Sequence, residues 1–178
     1  EKQEKIPFKL DGVFTASWSP DGKNLAFVGN EGGASDIYIY NIPSKELTNI
    51  TDDIYSDTEP SWSPDGKKIA FISDRGNQKN GQNTTAIDMI DHSYDQRDVY
   101  TIDVASSEIE QITYTDYNEN YPIFSNTENV IFYTGDYNGT WNLFRHDLDS
   151  GESTVVTNLL TGLFQLSLTK DDGSMVFA

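Results

Sequence analysis

The sequence predicts an all-β chain made of repeated four-stranded antiparallel sheets. Three observations predict it: a heptapeptide that recurs at a fixed interval, a second landmark that recurs with the same spacing, and short apolar runs separated by turn residues with no helical period. Ser17-Trp18-Ser19-Pro20-Asp21-Gly22-Lys23 returns as Ser61-Trp62-Ser63-Pro64-Asp65-Gly66-Lys67, an offset of 44 residues. Degenerate copies run through Pro122-Ile123-Phe124-Ser125 and through Leu168-Thr169-Lys170-Asp171-Asp172-Gly173, and Phe124 and Leu168 are again 44 apart. Pro60 and Pro122 are 62 apart, so the second unit carries an insertion of 18 residues. The other landmark agrees, since Asp36-Ile37-Tyr38 aligns with Asp98-Val99-Tyr100 at 62 and with Asn142-Leu143-Phe144 after a further 44.

Each unit reads as four strands. The first carries Trp18, Trp62, Phe124 or Leu168, rings and apolar groups expected to pack one unit against the next rather than to stack on a carbohydrate. A turn follows in which Pro fixes the first residue, Asp bonds nearby N–H groups and Gly takes the positive φ, a hairpin rather than a metal loop. The second strands, Leu25–Val28, Ile69–Ile72, Val130–Tyr133 and Met175–Ala178, are apolar throughout and suit a strand covered on both faces. The third strands alternate, as in Ile37-Tyr38-Ile39-Tyr40 and Val99-Tyr100-Thr101-Ile102. A shorter fourth strand closes each unit at 47–51, 109–113 and 154–156. Four antiparallel strands every 40–50 residues is the pattern of β-propeller blades.

Composition removes several function classes. The 178 residues carry a net charge of −17 and a pI near 4.2, which argues against binding a phosphate backbone. With no cysteine there is neither a disulfide framework nor a thiolate metal site. No apolar run approaches the roughly 18–20 residues of a membrane helix, and no signal peptide is evident at Glu1–Lys5.

Ser-Trp-Ser-Pro-Asp-Gly-Lys followed by Ile-Ala-Phe-Ile-Ser-Asp-Arg-Gly (61–76) resembles the TolB-type, WD40-like (PD40) propeller repeat of bacteria, as do Asp36–Tyr40 and the Ile-Thr pairs at 50–51 and 112–113. The third copy departs from it, with Asn126-Thr127-Glu128-Asn129 in place of Pro-Asp-Gly. Asn158–Leu163 is similar to propeller segments of large outer-membrane-associated proteins, which implies possible association with that membrane through other domains. The resemblance implies a periplasmic or otherwise extracytoplasmic, non-enzymatic module that binds protein or peptide.

The expected organisation is a partial propeller over 1–178: the last strand of a preceding blade at 1–10, blades at 13–52, 57–115 (with an insertion at 77–96) and 120–158, and the start of another at 165–178. An incomplete arc would leave strand edges open. The chain is therefore expected to be an excerpt of a longer polypeptide, with a four-bladed ring or self-association of two arcs as alternatives.

Antiparallel order sends the first-to-second and third-to-fourth turns to one rim, with Lys23, Lys45, Lys67, Lys68 and Lys170. The other rim receives the longer loops. There lie Asp52, Asp53, Tyr55, Asp57 and Glu59 from one loop, Asp116, Tyr117, Asn118, Glu119 and Tyr121 from the next, and Asp136 and Tyr137 from a third. Acidic, Tyr-rich loops on a rigid scaffold suit a basic polypeptide partner; a solvated acidic rim is the plainer alternative. Within the insertion, Asp88, Asp91 and Asp95 are candidate oxygen ligands for a hard cation such as Ca²⁺, although their spacing matches no EF-hand loop. No cofactor is expected.

Catalytic signatures are absent: no Gly-x-Ser-x-Gly elbow, no His-Glu-x-x-His, no phosphate loop. His146 is expected to be a satisfied structural histidine. Two alternatives to the binding module remain: the non-catalytic propeller of a secreted, prolyl-oligopeptidase-like hydrolase, and glycan binding through Tyr117, Tyr121, Tyr137 and Trp141.

Overall fold

The structure, a computed structural model, describes residues 6–76 and 93–178. The described strands form three four-stranded antiparallel sheets and a final two-stranded pair, each in simple chain order. The first sheet holds β1 (Gly12–Trp18), β2 (Asn24–Glu31), β3 (Ala34–Asn41) and β4 (Glu46–Asn49). The second holds β5 (Asp57–Trp62), β6 (Lys68–Ser73), β7 (Asp98–Asp103) and β8 (Ile109–Gln111). The third holds β9 (Glu119–Phe124), β10 (Val130–Gly135), β11 (Asn142–Asp147) and β12 (Glu152–Val155), and β13 (Ser167–Leu168) pairs with β14 (Met175–Val176).

The unbroken apolar second strands have a direct cause. Alternate residues of a strand face opposite sides, and β6 has a sheet on each side. Ile69 and Phe71 enter the core shared with the first sheet, where Ala26, Val28 and Ile39 lie; Ala70 and Ile72 enter the core shared with the third, beside Ile131 and Tyr133. All four β6 residues are fully buried, and each large side chain so placed contributes roughly 1.5–3 kcal/mol. Trp62 bridges the first interface, its Nε1–H donating to Ser17 O at 3.1 Å. The chain is thus all-β, its sheets packed side by side as propeller blades are. Trp18 departs from the expected packing role: it is 59% exposed, with Val13 and Phe14 also open on the same strand. Among the described residues no sheet covers that side of β1.

Ile6–Leu10 form no strand, but Phe8 lies 5.1 Å from Phe27 and edge-on to Tyr40 on the outer face of the first sheet.

The Pro-Asp-Gly segments are hairpin turns. Ser19 Oγ donates to Asp21 (2.7 Å) and accepts from the Asn24 amide (2.9 Å), and Gly22 has φ +69°. Ser63, Asp65, Lys68 and Gly66 repeat this atom for atom. In the third sheet the turn has no aspartate of its own. Asp172, from the turn between β13 and β14, takes the place, accepting from Ser125 Oγ (2.6 Å), the amides of Asn126 and Thr127 (2.8 and 3.1 Å) and both their side chains. Burial pushes its carboxyl up, but these donors together outweigh it and hold the pKa down at about 2.

A second regularity lies in the first strand of every unit. Register slips by one residue in β1, β5 and β9, and the slips sit at non-glycine residues of positive φ: Thr15, Glu59 and Tyr121, with Gln165 continuing the series. These are β-bulges, which re-aim side chains.

His146 is buried on β11, its Nδ1 2.9 Å from Ser153 Oγ; burial lowers its pKa.

Candidate functional site: the loop-bearing rim

Each sheet is closed at this rim by one device. The amides of Ile37, Val99 and Leu143 donate to the hydroxyls of Thr51, Thr113 and Thr157 at 3.0, 2.8 and 2.9 Å. The preceding residue collects the returning loop. Asp36 accepts from Asn49 and the Asp53 amide, Asp98 from Gln111 and the Thr115 amide, and Asn142 from Thr157 and the Leu159 amide. The recurrent Ile-Thr pairs and the Asp or Asn at 36, 98 and 142 are therefore loop anchors. Burial lifts Asp98 to about 6.

In the second sheet the rim contains a buried cation. Arg75, 6% exposed, lies two residues beyond β6; its Nη1–H donates to Asp53 (2.7 Å), its Nη2–H to both oxygens of Asp57 (2.6 and 2.8 Å) and its Nε–H to Ser73 Oγ (2.9 Å). The rings of Tyr55, Phe71 and Tyr100 surround the guanidinium, with centroids 5.3, 5.4 and 5.5 Å from Cζ. Burial raises Asp57 to about 6 and the guanidinium limits the rise, so the pair is ionised at neutral pH; burial likewise raises Asp53. On Arg75 burial works downward, but Asp57 and Asp53 outweigh it and the pKa goes up.

The third sheet repeats the site without its cation. At the repeat spacing, Tyr55, Asp57, Phe71 and Arg75 correspond to Tyr117, Glu119, Tyr133 and Tyr137, and Tyr100 corresponds to Phe144. Asp74 and Asp136 hold equivalent posts, accepting from the Ser56 and Asn118 amides at 2.8 and 2.9 Å. Tyr117 and Tyr133 stack on Phe144 at 5.8 and 5.2 Å, and the half-exposed Tyr137 meets Phe144 and Tyr117 edge-on. Glu119, fully buried, accepts from Thr113 Oγ1, Thr115 Oγ1 and the Val99 amide, and no cation pairs with it among the described residues. Burial pushes its carboxyl up to about 8, the Thr113 bond opposing and the Asp98 charge assisting.

The residues expected at this rim divide accordingly. Asp52, Asp116 and Tyr137 are open to solvent; Asp53, Glu59, Tyr117, Tyr121 and Asp136 are half-buried; Tyr55, Asp57 and Glu119 are interior. Glu59 and Tyr121 meet directly, the Tyr121 amide donating to Glu59 Oε2 at 2.5 Å. Ile54 and Tyr114, 49% and 67% exposed on the same loops, were not singled out by the sequence. Nor was Arg75, three residues past the apolar run Ile69–Ile72, where a buried arginine requires counter-charges. Trp141 packs on Phe164 at 6.4 Å.

Asp88 and Asp91 lie outside the described residues, and Asp95 is exposed. Carboxylate oxygens of Asp36, Asp53 and Asp57 come within 4.8 Å of one another, but the Arg75 guanidinium already bridges two of these groups and supplies the positive charge. Among the described residues no helix is long and apolar enough to span a membrane; strands are not addressed by that statement.

Residues 2–86 match the PD40 family, described as the TolB beta propeller domain. The chain is 45% identical over 53 residues to the Tol-Pal system protein TolB of Ruthia magnifica subsp. Calyptogena magnifica, a stretch covering 29% of the chain and 12% of that protein. Among solved structures, TolB from Acinetobacter baumannii superposes with a TM-score of 0.73 at 20% identity, over 94% of this chain and 37% of that one. The tricorn protease superposes at 0.66 with 15% identity, over 93% of this chain and 20% of that one. The chain therefore spans well under two thirds of each.

Proposed function

We propose that this chain is a TolB-like propeller module with no catalytic role of its own, which binds a protein or peptide in the bacterial cell envelope through the loop-bearing rim. One observation supports it most. Two loops present the same kind of surface, an exposed acid beside an exposed apolar or aromatic group, Asp52 with Ile54 and Asp116 with Tyr114, and a third adds the exposed Tyr137. Acids steer a basic polypeptide toward the rim, and the apolar groups give it contact area. The match of residues 2–86 to the TolB propeller domain supports the envelope location.

Titration with a fluorescent arginine-rich nonapeptide over a range of salt concentrations tests the reading. The combined change Asp52→Asn and Asp116→Asn should weaken binding and flatten its salt dependence. Unchanged affinity and slope would remove the steering role, and absence of the protein from a periplasmic or membrane fraction would remove the location.

A second reading, the propeller of a secreted hydrolase, draws on the likeness to the tricorn protease. Fluorophosphonate labelling of the natural protein recovered from cells separates the two. The glycan reading has less support, because Tyr117 and Trp141 turn toward Phe144 and Phe164.

A further inference from the structure

The second and third sheets contain the same cage at the same rim, filled in one and differently closed in the other. In the second, three rings and a buried carboxylate enclose the Arg75 guanidinium. In the third, Tyr117, Tyr133 and Phe144 reproduce the rings and Glu119 stands at the carboxylate's place in the repeat, its oxygens turned to Thr113, Thr115 and the Val99 amide, but the residue at the cation's position is Tyr137. Two further observations show that this second cage is chemically unfinished. Glu119 is interior with hydroxyl and amide donors but no positive partner among the described residues. Tyr133 Oη is also interior and faces Tyr117 and Ser153 without bonding geometry to either. The group closing the cage touches it only through ring edges and is 47% exposed, whereas Arg75 is held by four hydrogen bonds.

We propose that the cage of Tyr117, Tyr133, Phe144 and Glu119 receives an arginine side chain of a polypeptide partner, with Tyr137 as the cover that it displaces. The inference rests on the binding role proposed for this rim and specifies what the rim recognises. A guanidinium there would repeat the contacts of Arg75: ring faces on its plane and a carboxylate at its edge. Glu119 must ionise to pair with it, against Asp98 and the low-polarity surroundings of Tyr117 and Tyr133, so each binding event at neutral pH releases a proton to solvent. Affinity then rises with pH until the carboxylate is ionised without help.

The test uses N-acetyl-argininamide and its neutral isostere N-acetyl-citrullinamide, followed by the amide NMR signals of Gly135 and Tyr137. The arginine compound should shift them saturably and the citrulline compound should not, with binding tightening between about pH 6.5 and about pH 9. Tyr137→Ala should strengthen binding by uncovering the cage. Glu119→Gln should weaken it by about tenfold or more. Tyr137→Arg, which places a cation there from within, should abolish binding and needs no change at Glu119. Equal response to both compounds, or wild-type affinity in Glu119→Gln or Tyr137→Arg, would overturn the cage. The two readings fail separately. Arginine-rich peptide binding that survives Glu119→Gln removes the cage and leaves the rim; saturable argininamide binding without any peptide binding removes the rim and leaves the cage.

Discussion

The Arg75 guanidinium spans two loops and one strand end, meeting Asp57 through both carboxylate oxygens while a second nitrogen holds Asp53. Asp57 opens β5 and Asp53 belongs to the loop before it, so one side chain fixes how the chain enters its second sheet. Removing one partner of such a buried pair leaves a charge that water cannot reach, at a cost of about 3–5 kcal/mol. Arg75→Leu should lower urea-denaturation stability by that order. Asp57→Asn added to it should recover part of the loss, which additive behaviour in a double-mutant cycle would disprove.

Glu119 makes stability depend on pH with a definite sign. Its folded pKa of about 8 stands above the ordinary glutamate value of 4.5, so the folded state holds the proton more tightly. That contribution is complete below the unfolded pKa and disappears as pH rises through about 8. Asp57 and Asp98, raised to about 6, finish titrating earlier. Between about pH 6.5 and about pH 8.5 the melting temperature should therefore fall, and Glu119→Gln should flatten that fall. A wild-type slope in the variant would show that Glu119 does not set it.

Asp172 supplies the acceptor that the third sheet's own turn lacks. Asp172→Asn replaces a charged acceptor with a neutral amide, leaving the Asn126 and Thr127 amides with weaker bonds. Their hydrogen exchange should accelerate, while that of Gly66, whose turn is completed by its own Asp65, stays as it was. Equal rates at all three would mean that the contact with Asp172 adds no protection.

Gly66 has φ +71° and space for a methyl group except near Pro20 Cδ at 3.7 Å, so backbone conformation rather than crowding decides its substitution. Gly66→Ala should destabilise the protein by about 1 kcal/mol. An unchanged denaturation midpoint would contradict the turn geometry.

Much of the fold was legible because its causes are local and repeated. Pro-Asp-Gly predicts its hairpin whatever surrounds it, and an apolar run such as Ile69–Ile72 announces a strand covered on both sides. Non-local features were not. Trp18 and Trp62 occupy identical motifs, yet one is open and the other buried, because burial depends on a neighbouring sheet rather than on the heptapeptide. The rim was read as a set of acids facing water. Asp57 and Glu119 instead turn inward, the first to an arginine 18 residues along and the second to threonines anchored by the preceding sheet. Charge counted along a sequence does not tell which carboxylates keep their hydration, since that is settled by partners brought together only on folding. The Arg75–Tyr137 exchange was visible in the alignment of repeats, but its meaning needed the cage around it.

The kinked inner strands also set a limit on how this sequence can be shortened or spliced. Because Glu59 is an extra residue between Thr58 and Ser61 relative to β6, deleting it would straighten the strand there and remove the carboxylate that receives the Tyr121 amide. Losing that bend would change the angle at which Trp62 reaches the backbone of Ser17. A single-codon loss at 15, 59 or 121 should thus be far more damaging than the loss of a residue in an open turn, although none of those three positions lies in the conspicuous motif.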